Sequence, residues 1–387
     1  MTKKARHVAL VLSLNKRFDR KVSEGVTRFY HETEGWSVFL EDDPRAKIPD
    51  FNRGHFDGVI ADLDDPRIPK HVTGLQIPVV GIGGIKPGCS LNLTVSTVGT
   101  DNRKIAVMAA DYLMRLGLRS FGYCGIPAQT IDPWNDERQE TFVARLLERG
   151  YNCSVYAGRY NPSHSWERLQ GALYAWLESL PKPVGVMAAN DVRARHVLET
   201  CRRFGLRVPD DVAVLGVDND ELICELSTPQ LTSIVQGTEE IGYRAAKLLD
   251  RLMRSRKRTL TNRLVDPVAI VERASTDLVA TEDRVVSAAL TFIRDNAFRG
   301  IGVPEVARGI GVSRSTLDGH FNRIVSRSVH DEILRVQLNA VRNLLAATDL
   351  PLDEIAHRAG FCHAQYLAAL FRRVCGQTPG QYRRRAR

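Results

Sequence analysis

A pattern written twice near the C-terminus constrains this chain more than any other feature of its sequence. From Val303 the residues read VPEVARGIGVSRSTLDGHF, ending at Phe321, and from Leu352 they read LDEIAHRAGFCHAQYLAALF, ending at Phe371. In each copy a Glu (Glu305, Glu354) precedes an Ala (Ala307, Ala356) by two residues, and a Gly (Gly311, Gly360) follows that Ala by four. Apolar residues flank these marks at Val306, Ile310, Val312 and Leu317, and again at Ile355, Ala359, Phe361 and Tyr366. A short helix, a tight turn and a second helix account for the pattern. The Ala lets two helices cross closely, the Gly accepts left-handed backbone, and the apolar positions seal the corner. One such hairpin would fit many helical bundles. Two copies predict paired helix-turn-helix motifs, near 303–324 and 352–374, that insert helices into double-stranded DNA.

Charge supports that reading. From Thr281 onward there are 16 Arg, no Lys and 10 acidic residues, a net +6 of the formal +9 carried by all 387 residues. The surface that faces a polyanion is therefore C-terminal. From about Thr281, with a long helix between Ser328 and Ala347 and a closing T-P-G-Q-Y at Thr378 to Tyr382, the chain resembles the DNA-binding domain of the AraC family of bacterial transcription regulators. The resemblance implies an all-α domain over 283–387. Because that family mostly activates transcription, it also implies RNA polymerase as a partner.

Helical spacing names the groove-facing residues. The second helix of each motif is expected in the major groove, with Leu317, Phe321, Tyr366, Leu370 and Phe371 pointing inward. That exposes Arg314, Ser315, Asp318, Gly319 and Asn322 on the first helix, and His363, Ala364, Gln365, Ala368 and Ala369 on the second. Gln365 suits an adenine edge and Arg314 a guanine or a phosphate, while Arg323, Arg372 and Arg373 suit phosphates. Both surfaces are poor in donors, so DNA bending is expected to contribute to specificity. The two helices of one protomer should enter successive major grooves about 34 Å apart.

The first 270 residues follow another rule, short apolar runs alternating with amphipathic stretches. Strands are predicted at His7–Leu14, Trp36–Glu41, Gly58–Leu63, Ile77–Ile82, Phe121–Cys124, Val184–Ala188, Val212–Val217 and Thr232–Val235. Helices are predicted at Asp19–Tyr30, Asp101–Leu116, Asn135–Glu148, Val192–Phe204 and Glu239–Met253. This alternation argues for parallel α/β sheets, whose ligands lie outside the carboxyl ends of the strands. In order, the chain carries Val98-Gly-Thr-Asp101-Asn102, a helix opening with Glu137-Arg138, Ala189-Asn190-Asp191, then Val212 to Asn219 with Asp218. Leu231 to Gln236 and Ile270-Val-Glu-Arg273-Ala-Ser275 follow. Over residues 5 to 276 this resembles the core of LacI-type repressors and periplasmic sugar-binding proteins. It implies two α/β lobes with a sugar between them, as a domain of residues 1–274. LacI-type repressors carry their helix-turn-helix before this core, whereas here DNA binding follows it, after a linker at 275–282. The combination resembles the bacterial regulators of xylose use, and implies D-xylose as effector.

The strand ends supply the groups a sugar needs: paired carboxylates, amides or guanidiniums for its hydroxyls, and an aromatic face for its C–H side. Candidates are Asn15 and Asp19 after the first strand, Asp62 and Asp64 after the third, and Asn190 and Asp191 after the Val184 strand. Asp218 and Asn219 end the next strand and Gln236 the last, with Arg138 in the first turn of its helix and Trp134 just before it. Arg138, Asp218 and Gln236 match ligand-contacting positions of the resembling families. Asp and Asn at strand ends also cap helices, which is the reading for Asp101. Arg193 and Arg195 suit the cleft or a solvated face equally.

Other classes fit less well. Asp62 and Asp64 could be a glycosidase pair, but nothing fixes their separation. There is no nucleophile elbow, Walker loop, metal-ligand cluster or dinucleotide fingerprint, and Gly81-Ile-Gly-Gly84 lacks the spacing of a phosphate loop. No cofactor or enzyme activity is expected. A receptor for a protein would need an apolar patch rather than polar strand ends. Seven dispersed cysteines, Cys89, Cys124, Cys153, Cys201, Cys224, Cys362 and Cys375, read as reduced thiols. The N-terminal apolar run ends after about eight residues in charged Asn-Lys-Arg-Phe-Asp-Arg, too early for a signal peptide. The basic run Arg251 to Arg258 reads as solvated surface. The expectation is a cytoplasmic, homodimeric, sugar-responsive transcription activator; a different sugar, or repression, is the alternative.

Overall fold

The computed structural model describes residues 5–41, 50–51, 53–83, 95–127, 133–158, 166–255, 260–278, 281, 283–325 and 327–386. Cys89, Gly84, parts of the linker and part of the Arg251–Arg258 run lie outside the described residues. The chain divides into two units, Met1–Asp277 and Leu278–Arg387.

The first unit holds two six-stranded sheets. In chain order its elements are β1 (Arg6–Val11), α1 (Arg17–Glu32), β2 (Trp36–Glu41), β3 (Gly58–Asp62), α2 (Pro69–Val72), β4 (Val79–Ile82) and β5 (Ser96–Thr100). There follow α3 (Asn102–Arg115), β6 (Ser120–Cys124), α4 (Pro133–Glu148), β7 (Cys153–Tyr156), α5 (Trp166–Ser179), β8 (Val184–Ala188), α6 (Asp191–Phe204), β9 (Val212–Val217) and α7 (Glu221–Leu226). The unit closes with β10 (Thr232–Val235), α8 (Thr238–Arg254), β11 (Asn262–Val265) and β12 (Ala269–Val271). One sheet runs β11-β5-β4-β3-β1-β2, all parallel; the other runs β12-β10-β9-β8-β6-β7, parallel except for β12. Each sheet is the centre of one lobe.

Burial on both faces explains the apolar runs. Along β1, Val8 and Leu10 enter one core with α1 and α8, while Ala9 and Val11 enter another with Phe51, Phe56 and Ile68. Helices α1 and α8 meet at two glycines. A Cβ on Gly25 would lie 1.9 Å from the Glu239 carbonyl oxygen, and one on Gly242 1.9 Å from that of Val22. In the second lobe Val184, Val186 and Ala188 pack with α5 and α6, while Gly185 lies under Leu113 and Leu118.

The chain crosses between lobes three times: from β5 to α3, from β10 to α8, and from β11 to β12. These crossovers are tied to one another. Asp101 N–H donates to the Val265 carbonyl (2.9 Å), Val268 N–H to that of Val235 (2.8 Å), and Lys104 Nζ contacts Asp266 (2.7 Å). These crossovers form the strap that joins the two lobes.

The second unit is all helical: α9 (Arg284–Asn296), α10 (Val303–Gly309), α11 (Arg314–Val325), α12 (Val329–Ala347), α13 (Leu352–Arg358), α14 (Ala364–Cys375) and α15 (Pro379–Ala386). Its apolar residues form two cores, one around Leu317 and Phe321, the other around Leu367 and Phe371. Helix α12 serves both, through Val329, Ile333 and Val336 to the first and Leu338, Val341 and Leu345 to the second. Buried Gln337 joins the halves, its Nε2 donating to the carbonyls of Ala297 (2.8 Å) and Gly360 (3.3 Å). Among the described residues no helix is long and apolar enough to cross a membrane.

Candidate functional site

Strand ends bring one set of charged residues together between the lobes. Arg138, on α4, is 3 % exposed and stacks its guanidinium 4.8 Å over the Trp134 ring. Its Nε donates to Asn102 Oδ1 (2.8 Å) and its Nη1 to the Ala189 carbonyl (2.6 Å). Burial pulls the guanidinium's pKa down, and the negative fields of Asp218 in its own lobe and Asp64 in the other oppose that pull. Trp134, expected to face the sugar, thus floors the Arg138 charge.

Asp218 follows β9 at φ 115° and Asn219 at φ 48°, left-handed backbone that Asp and Asn tolerate better than other side chains. Gln236 bridges this loop to the first lobe. Its Nε2 donates to Asp218 Oδ1, and its Oε1 accepts from Thr100 Oγ1 (2.7 Å) at the end of β5. Burial pushes the Asp218 carboxyl up to about 6, against the lowering effects of Arg138 and the Gln236 hydrogen bond. Arg17, at the start of α1, also acts on Asp218 and pairs with Glu221 of α7 at 3.2 Å, an ion pair from lobe to lobe.

A second set lies in the first lobe. Lys16 Nζ donates to Asp62 Oδ2 (3.0 Å), and Asp64 N–H donates to Asp62 Oδ1 (2.9 Å). Fully buried Asp19 accepts from Ser13 N–H (2.9 Å) through Oδ2, while its Oδ1 finds no hydrogen-bond partner among the described residues. Burial, and then the Asp62 charge, hold the Asp19 carboxyl well above its ordinary range.

The other candidates take different places. Asn15 is exposed. Asn190 caps α6, accepting from Arg193 N–H (2.9 Å), the role expected for Asp101 and found there too, with Lys104 N–H. Asp191 is fully buried with both oxygens held by the protein, Oδ1 by Ser233 Oγ (2.5 Å) and Oδ2 by Asp220 N–H (2.7 Å). Asn219 Oδ1 accepts from Arg273 (3.0 Å). Asp191 and Asn219 brace the Asp218 loop from behind. Lys16 and Arg17 were not singled out by sequence, and Thr100 and Asn102 only as part of the Val98 to Asn102 motif; two cations directly after Asn15, between strand and helix, were the available signal.

In the helical unit both motifs form. The first helix of each ends on a left-handed glycine, Gly311 (φ 73°) and Gly360 (φ 80°). Val312 N–H returns to Ala307 and Phe361 N–H to Ala356, closing the same turn in both. Beyond the glycine the copies diverge. Ser313 caps α11 two residues after Gly311, whereas His363 precedes α14 three residues after Gly360. The extra residue lies in the turn, so a count from the glycine misplaces every side chain of the second helix by one position, about 100° around its axis. Counted from the helix start, Leu317 and Leu367 are equivalent, as are Phe321 and Phe371.

That offset corrects two expectations. Tyr366, expected inward, is 52 % exposed, and Leu367 takes the core position at 0 %. Ala364, expected to face DNA, is buried at 8 %. On α14 the exposed residues are Gln365, Tyr366, Ala369, Arg372, Arg373 and Val374, with His363 before them and Ala368 half-buried. On α11, Arg314, Ser315, Gly319, Asn322 and Arg323 are exposed and Asp318 is half-buried, pairing with Arg314 at 3.6 Å. Asp283 reaches α11 from its position capping α9. Its Oδ1 accepts from Val285 and Val286 N–H, while Oδ2 contacts His320 Nδ1 (2.6 Å) and Arg323 (3.2 Å).

Comparison with known proteins covers the chain almost end to end. Residues 7–103 match the XylR N-terminal domain, 110–276 the periplasmic binding protein-like domain and 306–385 a helix-turn-helix domain. Over 384 residues the chain is 35% identical to the xylose operon regulatory protein of Escherichia coli strain K12, covering 99% of this chain and 98% of that one. It is 33% identical to the protein of the same name from Haemophilus influenzae, covering 99% of each. A solved structure titled as the xylose-binding transcription activator XylR is similar at a TM-score of 0.79, with 34% identity and 99% of both chains covered.

Proposed function

The chain belongs to the family of xylose operon regulatory proteins, and from that premise we propose that D-xylose binds between its two lobes and switches it to activate transcription. The observation that carries the site is buried Arg138, stacked on Trp134 and bonded to Asn102 and the Ala189 carbonyl, together with Gln236, which ties Asp218 of its lobe to Thr100 of the other. A pentose between the lobes would present hydroxyls to carboxylates, amide and guanidinium together, and only the closed arrangement supplies all of them. The sugar then favours closure by its extra affinity for that state.

Arg138, Asp218, Gln236 and Asp64 form the proposed contact set, with Asp19 and Asp62 at its first-lobe edge and Trp134 holding Arg138. Asn15 and Asn190 remain at the margin. Two protomers would then present four recognition helices to an operator, with RNA polymerase as partner, in the cytoplasm. Calorimetric titration of the full chain with a panel of pentoses and hexoses tests the sensor. The expected result is tightest binding of D-xylose, and sugar-dependent affinity for a duplex selected from a randomised library. Tighter binding of another sugar replaces the effector; no binding of any sugar refutes the sensor.

A further inference from the structure

We propose that Tyr366 is a base-reading residue of the second recognition helix, its ring set against the C5-methyl group of a thymine beside the base read by Gln365. This rests on α14 lying in a major groove. The longer turn after Gly360 places Leu367, Leu370 and Phe371 in the core and leaves Tyr366 at the edge of the exposed face next to Gln365, 52 % exposed. It is the third residue of its helix, in the turn that a groove-bound recognition helix directs at base edges.

The ring has a floor. Phe361, buried at 6 %, lies 6.2 Å away, centroid to centroid, with the planes at 52°. A tyrosine has two side-chain torsions to fix, so holding it against DNA loses little entropy. Beyond the buried Leu367, Ala368 and Ala369 are small and leave space for a base pair to approach. With one amide and no cation in this first turn, the face offers few donors for guanine or phosphate. An aromatic edge matches the one apolar mark in the major groove, the thymine methyl.

The test uses the full chain and a duplex selected by it from a randomised library, with each thymine of the second groove replaced in turn by deoxyuridine. Removing one buried methyl should weaken the unmodified protein about three- to fivefold at a single position. Tyr366→Phe should keep that penalty, and Tyr366→Ala should bind thymine and deoxyuridine duplexes alike. A deoxyuridine penalty that survives Tyr366→Ala overturns the assignment. Loss of affinity by Tyr366→Ala on every sequence alike overturns it as well, making the tyrosine a backbone contact. An absence of base preference throughout that groove, with Gln365→Ala also silent, overturns the groove reading beneath it.

Discussion

Replacing Asp218 with Asn should make the sensor more stable and less able to bind sugar. Asn accepts the positive φ of 115° at this position, so the loop should keep its path. The amide oxygen can still accept from Gln236, but the negative charge is lost. A charged acceptor contributes about 1.5–3 kcal/mol to a hydrogen bond and a neutral one about 0.5–1.5, and the new N–H2 faces sugar donors. Sugar affinity should therefore fall about 10- to 100-fold. Stability should move the other way. The folded carboxyl sits at about 6, above its unfolded value of about 3.9. The folded state thus holds its proton more tightly, and the unmodified protein loses stability as pH rises from about 4 through 6. Above that window the ionised carboxylate is less comfortable folded than unfolded, and Asn removes it. Calorimetric titration and thermal melting at pH 7.5 check both parts: a higher melting temperature without sugar, and a sugar-induced shift reduced in the variant. In the unmodified protein, affinity should also decline below about pH 6, where the acceptor is protonated, and the variant should be flat there. Affinity within twofold of the unmodified protein, with a normal melting curve, would remove Asp218 from the site.

Gly25→Ala should destabilise the first unit by about 1–3 kcal/mol or more, because its Cβ would meet the Glu239 carbonyl at 1.9 Å. On an open helix the same change would stabilise by about 1 kcal/mol, so the sign of the melting shift decides. Asp283→Asn keeps the cap of α9 but releases Arg323 and His320 from a carboxylate. It should raise affinity for all duplexes and steepen the salt slope by up to about one; an unchanged slope would mean Arg323 never reaches phosphate. Gln365→Ala should cost about 1–3 kcal/mol at one base position, whereas Arg373→Ala should weaken all sequences alike and flatten the slope, read on a randomised library at two salt concentrations.

Strands buried on both faces were legible because they are continuous apolar runs, as in β3, β8 and β9. The unassigned ones lack that signal for physical reasons. β5 reads Ser-Thr-Val-Gly-Thr, and β11 is an edge strand with only Val265 buried. β7, at the other sheet's edge, buries none of its four residues fully. At these edges the faces are incompletely covered, so few positions of the strand have to be apolar. Helix α7 is too short, at six residues, to declare a period.

Which polar residues end the strands was legible in the sequence, but not what each one bonds to, and the reason is competition for each side chain's oxygen. Asn190 and Asp218 both follow a buried strand, and both are polar groups at the mouth of a cleft. Asn190 stands where a helix begins, and the free N–H of Arg193 takes its oxygen. Asp218 is followed by two more residues before its helix, so Asp220 does the capping, leaving Asp218 to bond Gln236 in the field of Arg138. The same one- or two-residue arithmetic separates the two DNA-facing helices. Glycine marked both turns correctly, yet a single residue between Gly360 and α14 decided which of Tyr366 and Leu367 entered the core. Sequence spacing fixes a side chain's direction only from the helix cap onward, so in both units the cap, rather than the motif's most conspicuous residue, is where the count has to begin.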